Sequence, residues 1–308
     1  MSSTLQIRLG TRASALALWQ ADWVTARLTD LGVSVVQVEI STIGDRQQEP
    51  LGVSTSPGVF TKEIQRALLE ERIDLAVHSL KDLPTDEVPG LCLAAIPERA
   101  PVGDAIVCRS HGSFQALPPG ATVGTGSLRR RSQLLHVRSD LQMKDIRGNV
   151  DTRLRKLDEG QYDAIVLAEA GLRRLGFQDR ITELLPIETV LPAVGQGALG
   201  LESRDDDHAI REALGQLDHA ITHASVLAER IMLAELRGGC LAPIAAWGRI
   251  ENGALCLTGR VISTDGTEKL EATANGDVDD PVRLGSLVAQ ELAAQGAADL
   301  IRLSREGS

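Results

Sequence analysis

TKEIQRALLEERIDLAVHSLKDLP, residues 61–84, carries the fold in miniature. The stretch from about Thr61 to Arg72 reads as a helix, and the apolar run from Ile73 to Val77 reads as a strand that ends in His78-Ser-Leu-Lys-Asp-Leu-Pro84. Working outward, Gln6–Gly10 is a short strand, and Ser14 then opens a helix in which Leu16, Trp19, Trp23 and Ala26 recur at helical spacing. Val36, Val38 and Ile40 alternate as a second strand. Strand, helix, strand in succession is the order of a parallel sheet covered by helices.

The same order returns after Pro101. A strand near Ala121–Val123 runs into Gly124-Thr-Gly-Ser-Leu-Arg-Arg-Arg131 and a helix; a second ends at Arg147-Gly-Asn149; a third is Ala164–Ala168. From about residue 220 the pattern changes. A helix over about 223–236 leads to Cys240, and strands around 245–250 and 254–262 meet at Glu251-Asn-Gly253, a hairpin signal. One last amphipathic helix is expected near 282–303, covering a face of that sheet. A chain of 308 residues with 43% hydrophobic content supplies cores for two or three domains.

The net charge of −10 argues against a nucleic-acid or anionic-membrane surface, since either draws on a positive patch. No apolar run approaches the roughly 20 residues of a membrane span. The opening MSSTLQIRLG has neither the apolar stretch of a secretory signal nor the character of a transit peptide, so a cytoplasmic protein with reduced thiols is expected. The basic residues are nevertheless concentrated. Of 32, 27 are arginine, and seven of those lie between 129 and 155, which implies a local cationic pocket for a small polyanion. A genome rich in arginine codons explains solvated arginines such as Arg211 and Arg302, and explains the clustering less well.

Four cysteines, at 92, 108, 240 and 256, match neither zinc-ligand spacing nor a disulfide framework, so no metal is expected. Cys92, Cys108 and Cys256 read as small buried hydrophobes. Cys240 differs in context: Gly238 and Gly239 leave room for a large group and Pro243 fixes the exit, so it reads as an attachment point or as a structural thiol.

Three constellations carry chemistry. In Gly124–Arg131, Ser127 is placed to cap a helix whose first turn holds Arg129 and Arg130; cations there oppose the helix dipole, so the segment reads as an anion site or as a plain capped helix with solvated arginines. At the end of a buried strand, Lys81 and Asp82 put a carboxylate beside cations, suited to stabilising a cationic intermediate and relaying a proton, while His78 reads as a hydrogen-bonded core histidine. Leu191-Pro-Ala-Val-Gly-Gln-Gly-Ala198 reads as a hinge or close-packing segment and lacks the lysine of a phosphate loop.

Taken together, GTRASALALWQ (10–20), VHSLKDLPT (77–85), VGTGSLRRRSQL (123–134), IRGNVDTRLRKLDEGQYDAIVLAEAGLRRLG (146–176), LPAVGQGALGLE (191–202) and ERIMLAELRGGCLAPI (229–244) resemble the porphobilinogen deaminase family, whose members are hydroxymethylbilane synthases. The matches keep the family's order over most of residues 8–245. The resemblance implies an α/β fold of two lobes like type II periplasmic binding proteins, with mixed, mainly parallel sheets, and a small α+β C-terminal domain. The domains would be 1–98 with 199–218, 99–198, and 219–308, the active cleft lying between the first two.

It also implies a transferase of tetrapyrrole biosynthesis. Four porphobilinogen molecules join head to tail, each losing ammonia, on a dipyrromethane cofactor held by a thioether to Cys240, and water releases linear hydroxymethylbilane. By the same resemblance Asp82 is the catalytic carboxylate, assisted by Lys81. Ser79, Lys81, Asp82, Thr125, Ser127, Arg129, Arg130, Arg147 and Gly148 are expected to bind the cofactor, and Arg12, Gln20, Phe60, Arg147, Arg153, Arg174 and Gln196 the substrate. Arg131, Arg155 and Arg173 are expected on the surface or behind the site. The product would pass to uroporphyrinogen-III synthase, and the chain is expected to be a monomer.

One region departs from the family. Its members commonly carry a lysine- and glycine-rich mobile segment before a GxF motif, whereas Leu51–Phe60 here has no lysine until Lys62. A bilobed protein that only binds a carboxylated ligand accounts for the strand order and the arginines, but not for Cys240 or for Asp82 between cations. A transferase using Cys240 as nucleophile needs a base to form the thiolate, and the local sequence offers only Arg237.

Overall fold

Ser14 caps the first helix as its position predicts, its hydroxyl accepting the Ala17 N–H at 3.3 Å. The structure, a computed structural model, describes residues 5–40, 61–239 and 242–306. Cys240, Phe60 and the segment 51–60 lie outside the described residues.

The chain begins β1 (Gln6–Thr11), α1 (Ala15–Asp30), β2 (Ser34–Glu39), α2 (Lys62–Leu69), β3 (Leu75–Ser79) and β4 (Leu91–Ala95). It continues β5 (Asp104–Cys108), β6 (Thr122–Gly124), α3 (Leu128–Val137), β7 (Gln142–Lys144), α4 (Val150–Asp158), β8 (Ala164–Ala168), α5 (Glu169–Arg174) and β9 (Glu183–Leu184). Then follow β10 (Leu199–Arg204), α6 (His208–Gly215), α7 (Ala220–Glu235), β11 (Ile244–Glu251), β12 (Ala254–Ile262), β13 (Lys269–Gly276), α8 (Pro281–Ala294) and α9 (Ala297–Glu306).

Two compact units divide it: Met1–Arg99 with Ala198–His223, and Ala100–Gly197 with Ala224–Ser308. The first holds a five-stranded sheet in the order β2-β1-β3-β10-β4. β1 runs parallel to β2 and β3, and β10 runs antiparallel to β3 and β4. Both faces are covered. Val24 and Leu28 of α1 pack with Ile7, Leu9, Leu75 and Val77, while Ile64 and Leu68 of α2 pack with Ile73 and Ala76. Alternation along β3 sends successive apolar side chains to opposite faces, which is why the strand reads as a continuous apolar run.

The second unit repeats the design in the order β7-β6-β8-β5-β9, with β6 parallel to β7 and β8, and β5 antiparallel to β8 and β9. Ile106 and Val166 face one core, and Ala105, Val107, Ile165 and Leu167 face the other. Each of these two sheets is mainly parallel with one reversed strand, the mixed, mainly parallel α/β design that the resemblance implies for its two lobes. The same unit carries the α+β module, an antiparallel sheet β11-β12-β13 whose inner face meets Met232, Val288, Leu292 and Leu300.

Its hairpin turns at Asn252 and Gly253, both left-handed at φ 51° and 81°. Three readings are corrected. The helix expected over 282–303 is two, α8 and α9, because the chain breaks at Gly296 with φ 101°. The strand expected to end at Arg147–Asn149 stops at Lys144. Cys256 is buried, but Cys92 and Cys108 are half-buried. Among the described residues no helix is long and apolar enough to cross a membrane.

Candidate active site

In the first unit the chemistry gathers where β3 ends. Ser79 pairs with Leu199 of β10, the Leu80 N–H donates to Ala198 O at 3.1 Å, and the Leu83 N–H closes a 3-10 turn on Leu80 O at 3.2 Å. Leu80 is buried, so the turn cannot roll; Lys81 is left half-buried and Asp82 exposed. Buried Gln20 of α1 donates to Ser79 Oγ at 2.7 Å, joining two of the expected residues. Arg12, half-buried, follows β1 directly.

His78 points the other way. It is buried in β3, with Nε2 2.9 Å from Glu202 Oε2, and Glu202 Oε1 accepts Gln65 Nε2 at 2.9 Å. This is the hydrogen-bonded core histidine its place in an apolar strand predicts. Glu202, its partner, lies in a segment whose composition gave no sign of a buried acid.

In the second unit Ser127 caps α3, accepting the Arg130 N–H at 3.4 Å, and Thr125 Oγ1 accepts the Ser127 N–H at 3.2 Å. The anion that two arginines in a first turn call for is present within the protein: Asp104, at the head of β5, with no solvent exposure. Arg130 donates Nε and Nη2 to Asp104 Oδ1 at 3.0 and 2.7 Å, and Nη1 to Val166 O at 3.2 Å. Arg129 Nη2 lies 2.7 Å from Asp104 Oδ2, and its Nη1 donates to Leu191 O at 2.6 Å. Gln196 Nε2 adds a bond to Asp104 Oδ1 at 3.0 Å and another to Val102 O at 2.7 Å.

Burial acts to raise the Asp104 carboxyl, but the charges and hydrogen bonds of Arg129 and Arg130 outweigh it and hold the group well below the usual carboxylate range. Burial lowers Arg129, with Asp104 opposing that shift and Arg130 adding to it. Asp104 was missed in the sequence. Its signal, an acid opening the apolar strand Asp104–Cys108, is also what an ordinary strand start looks like.

The other cations differ in setting. Arg174 donates Nη2 to Gly197 O at 2.8 Å, and burial pulls its guanidinium down to about 10. Arg153 Nε donates to Gly148 O at 2.7 Å, holding the turn before α4. Arg147 is exposed, 3.9 Å from exposed Asp145. Arg155 makes an exposed i,i+4 pair with Glu159, and exposed Arg173 one with buried Glu169, each at 2.7 Å; Arg131 is exposed. The structure thus brings Gln20 to Ser79, Thr125 to Ser127, Arg129 to Gln196 with Arg130 joined through Asp104, and Arg153 to Gly148.

Known proteins resemble the chain over nearly its whole length. Residues 7–212 match the porphobilinogen deaminase dipyrromethane cofactor binding domain, and residues 223–294 match the porphobilinogen deaminase C-terminal domain. Porphobilinogen deaminase of Geobacter sulfurreducens is 49% identical over 300 residues, covering 96% of this chain and 94% of its own. That of Desulforudis audaxviator is 49% identical over 98% of this chain and 99% of its own. That of Acidithiobacillus ferrooxidans is 50% identical over 96% and 97%. Among solved structures, the methionine-binding protein MetQ covers 75% of this chain and 94% of its own at 14% identity and a TM-score of 0.46. By its family models and its relatives over nearly the whole length, the chain belongs to the porphobilinogen deaminase family.

Proposed function

We propose that Asp82 is the catalytic carboxylate of this chain, with Lys81 beside it, and that the arginines of the second unit receive the carboxylates of substrate and cofactor. The family's activity makes the chain a transferase that condenses porphobilinogen stepwise into hydroxymethylbilane in tetrapyrrole biosynthesis. The observation that carries the residue assignment is placement: Ser79–Asp82 follows the carboxyl end of β3, and Thr125–Arg130 follows the carboxyl end of β6. Ligands of open α/β sheets gather at such ends.

The donor set fits a dipyrromethane, whose rings offer carboxylates and N–H donors. Arg129 keeps a buried Nε with no hydrogen-bond partner among the described residues, and Asp82 is an exposed acceptor. Cys240, in sequence between α7 and β11, would hold the group as a thioether, with Ser79, Lys81, Asp82, Thr125, Ser127, Arg129, Arg130, Arg147 and Gly148 around it. When bound, it supplies the pyrrole α-carbon on which the product grows.

Asp82 would accept a pyrrole N–H at its carboxylate oxygen and balance the positive charge left on porphobilinogen as ammonia departs. As a pyrrole α-carbon bonds to the methylene that ammonia has left, the same oxygen would take the proton that this attacking α-carbon loses. Arg12, Arg147, Arg153 and Arg174 would orient substrate carboxylates, and Gln20 would fix Ser79. Phe60 would stack on a pyrrole ring. The reading keeps three domains, 1–98 with 199–218, 99–198 and 219–308, in a cytoplasmic monomer that passes its product to uroporphyrinogen-III synthase.

Intact mass tests it. The wild-type chain is expected to exceed its sequence mass by one dipyrromethane, and Cys240→Ser, equally folded, to show no excess. A wild-type chain that stays at its sequence mass after incubation with porphobilinogen, and forms no bilane, would sink the assignment.

A further inference from the structure

We infer that Asp104 is a positioning residue for carboxylate binding: it bridges two neighbouring guanidiniums and aims Arg129 at the ligand. The inference rests on the reading proposed above, in which Arg129 receives a carboxylate.

The cluster holds two buried cations and one buried anion, so one positive charge is in excess within the protein. A fold that needed only an ion pair at the head of β5 would use one arginine, because each added buried charge costs desolvation and a cation in the first turn of α3 opposes the helix dipole. Arg130 places each of its three nitrogens on an acceptor inside the protein, with Nε and Nη2 on Asp104 and Nη1 on Val166 O, and keeps a second hydrogen on each terminal nitrogen. Arg129 is engaged on one edge only. Its Nη1 donates to Leu191 O, its Nη2 forms an ion pair with Asp104 Oδ2 at 2.7 Å and donates to Gln196 Oε1 at 3.5 Å, and its Nε has no hydrogen-bond partner among the described residues. A planar guanidinium fixed through both terminal nitrogens cannot rotate to satisfy that Nε elsewhere.

Asp104 is itself fixed from behind. Gln196 Nε2 donates to Oδ1 and is held by Val102 O and Gly103 O at 2.7 and 3.2 Å. Without the carboxylate, adjacent buried cations would repel and Arg129 would lose its aim. With the carboxylate displaced by one methylene, charge balance would persist but the geometry would shift.

The test uses the full-length chain as wild type, Asp104→Glu and Asp104→Asn. It measures thermal stability, kcat and KM for porphobilinogen, and the mass of the adduct formed from porphobilinogen. Asp104→Glu is expected to stay folded, to raise KM roughly tenfold with kcat within about twofold, and to acquire its adduct more slowly. Asp104→Asn is expected to move the same quantities further and to lose stability. A folded Asp104→Glu chain with unchanged KM, or one that loses kcat alone, would overturn the role. So would failure of both variants to fold, because the carboxylate would then serve the fold itself. A wild-type chain with neither adduct nor turnover would overturn the underlying reading instead.

Discussion

Gly197 takes φ 86°, and a Cβ there would lie 2.5 Å from Ala100 O. Its own carbonyl accepts the guanidinium of Arg174 at 2.8 Å. Backbone cannot yield as a side chain would, so Gly197→Ala has to displace either the Ala100 segment or the carbonyl that Arg174 uses. The expected cost is about 2–4 kcal/mol, combining left-handed strain with the clash. Calorimetry should show a lower Tm and steady-state kinetics a raised KM; an alanine chain with both unchanged would mean that the close approach is not made in solution. Gly195-Gln-Gly197 was legible in the sequence as a hinge or packing segment, because paired glycines have few other uses. Asp104 was not, because nothing local separates an acid that opens a strand in water from one that closes a buried cluster with arginines 25 and 26 residues later. That distinction is made only by the crossing of β5 beside β8.

Single carboxylates also join elements to one another. Asp74, just before β3, accepts the Arg8 N–H and Nε at 2.9 Å each and Arg8 Nη2 at 2.6 Å, and it accepts Arg204 Nη2 of β10 at 3.1 Å. Three strands of one sheet are thereby tied at one group. Burial, the largest effect, raises this carboxyl, but the bonds from Arg8 and Arg204 together override it and bring the group down to about 2. A carboxyl depressed in the folded state stabilises fully above its unfolded value of about 3.9, and that contribution fades as pH falls toward about 2. Asp74→Asn should therefore lower stability by about 1–3 kcal/mol at neutral pH and flatten the acid limb between about pH 4 and 2, read by urea unfolding at each pH. An unaltered acid limb would assign the acid sensitivity to other carboxylates. In this sheet β4 and α6 were missed, but β1, β2, β3, α1 and α2 were legible from periodicity and from caps such as Ser14. The reversed strands β5 and β10 were not. Each is the first strand after the chain changes units, at Arg99/Ala100 and at Gly197/Ala198, and strand direction leaves no trace in a short apolar run.

At the scale of the whole molecule, the α+β module that follows Cys240 belongs to the same compact unit as the arginine-rich sheet. Arg260 of β12 shows how the two are joined. It is buried, donates Nε to Glu271 Oε2 at 2.5 Å within the module, and sends Nη1 to Gln133 Oε1 at 2.8 Å and Nη2 to Glu188 O at 3.0 Å. Gln133 in turn donates to Leu191 O, the carbonyl that fixes Arg129 Nη1, and accepts the Leu191 N–H at 2.9 Å. Hydrogen bonds thus run without a gap from the C-terminal sheet to the arginine proposed to receive a carboxylate. None of this was legible in the sequence, where Arg260 is one arginine in a hairpin strand. Arg260→Gln removes a charge-assisted bond to the buried Gln133 amide, another to the part-buried Glu188 carbonyl and the ion pair with Glu271, at a cost of about 2–3 kcal/mol. In a unit of roughly 180 residues that corresponds to a fall in Tm of about 5–10 °C. Because the lost bonds also brace Leu191, KM for porphobilinogen should rise a few-fold with kcat nearly unchanged. A fall in Tm without a change in KM would confine Arg260 to docking the module; no fall in either would mean that apolar packing alone joins the two sheets and that Arg129 is braced from within its own lobe.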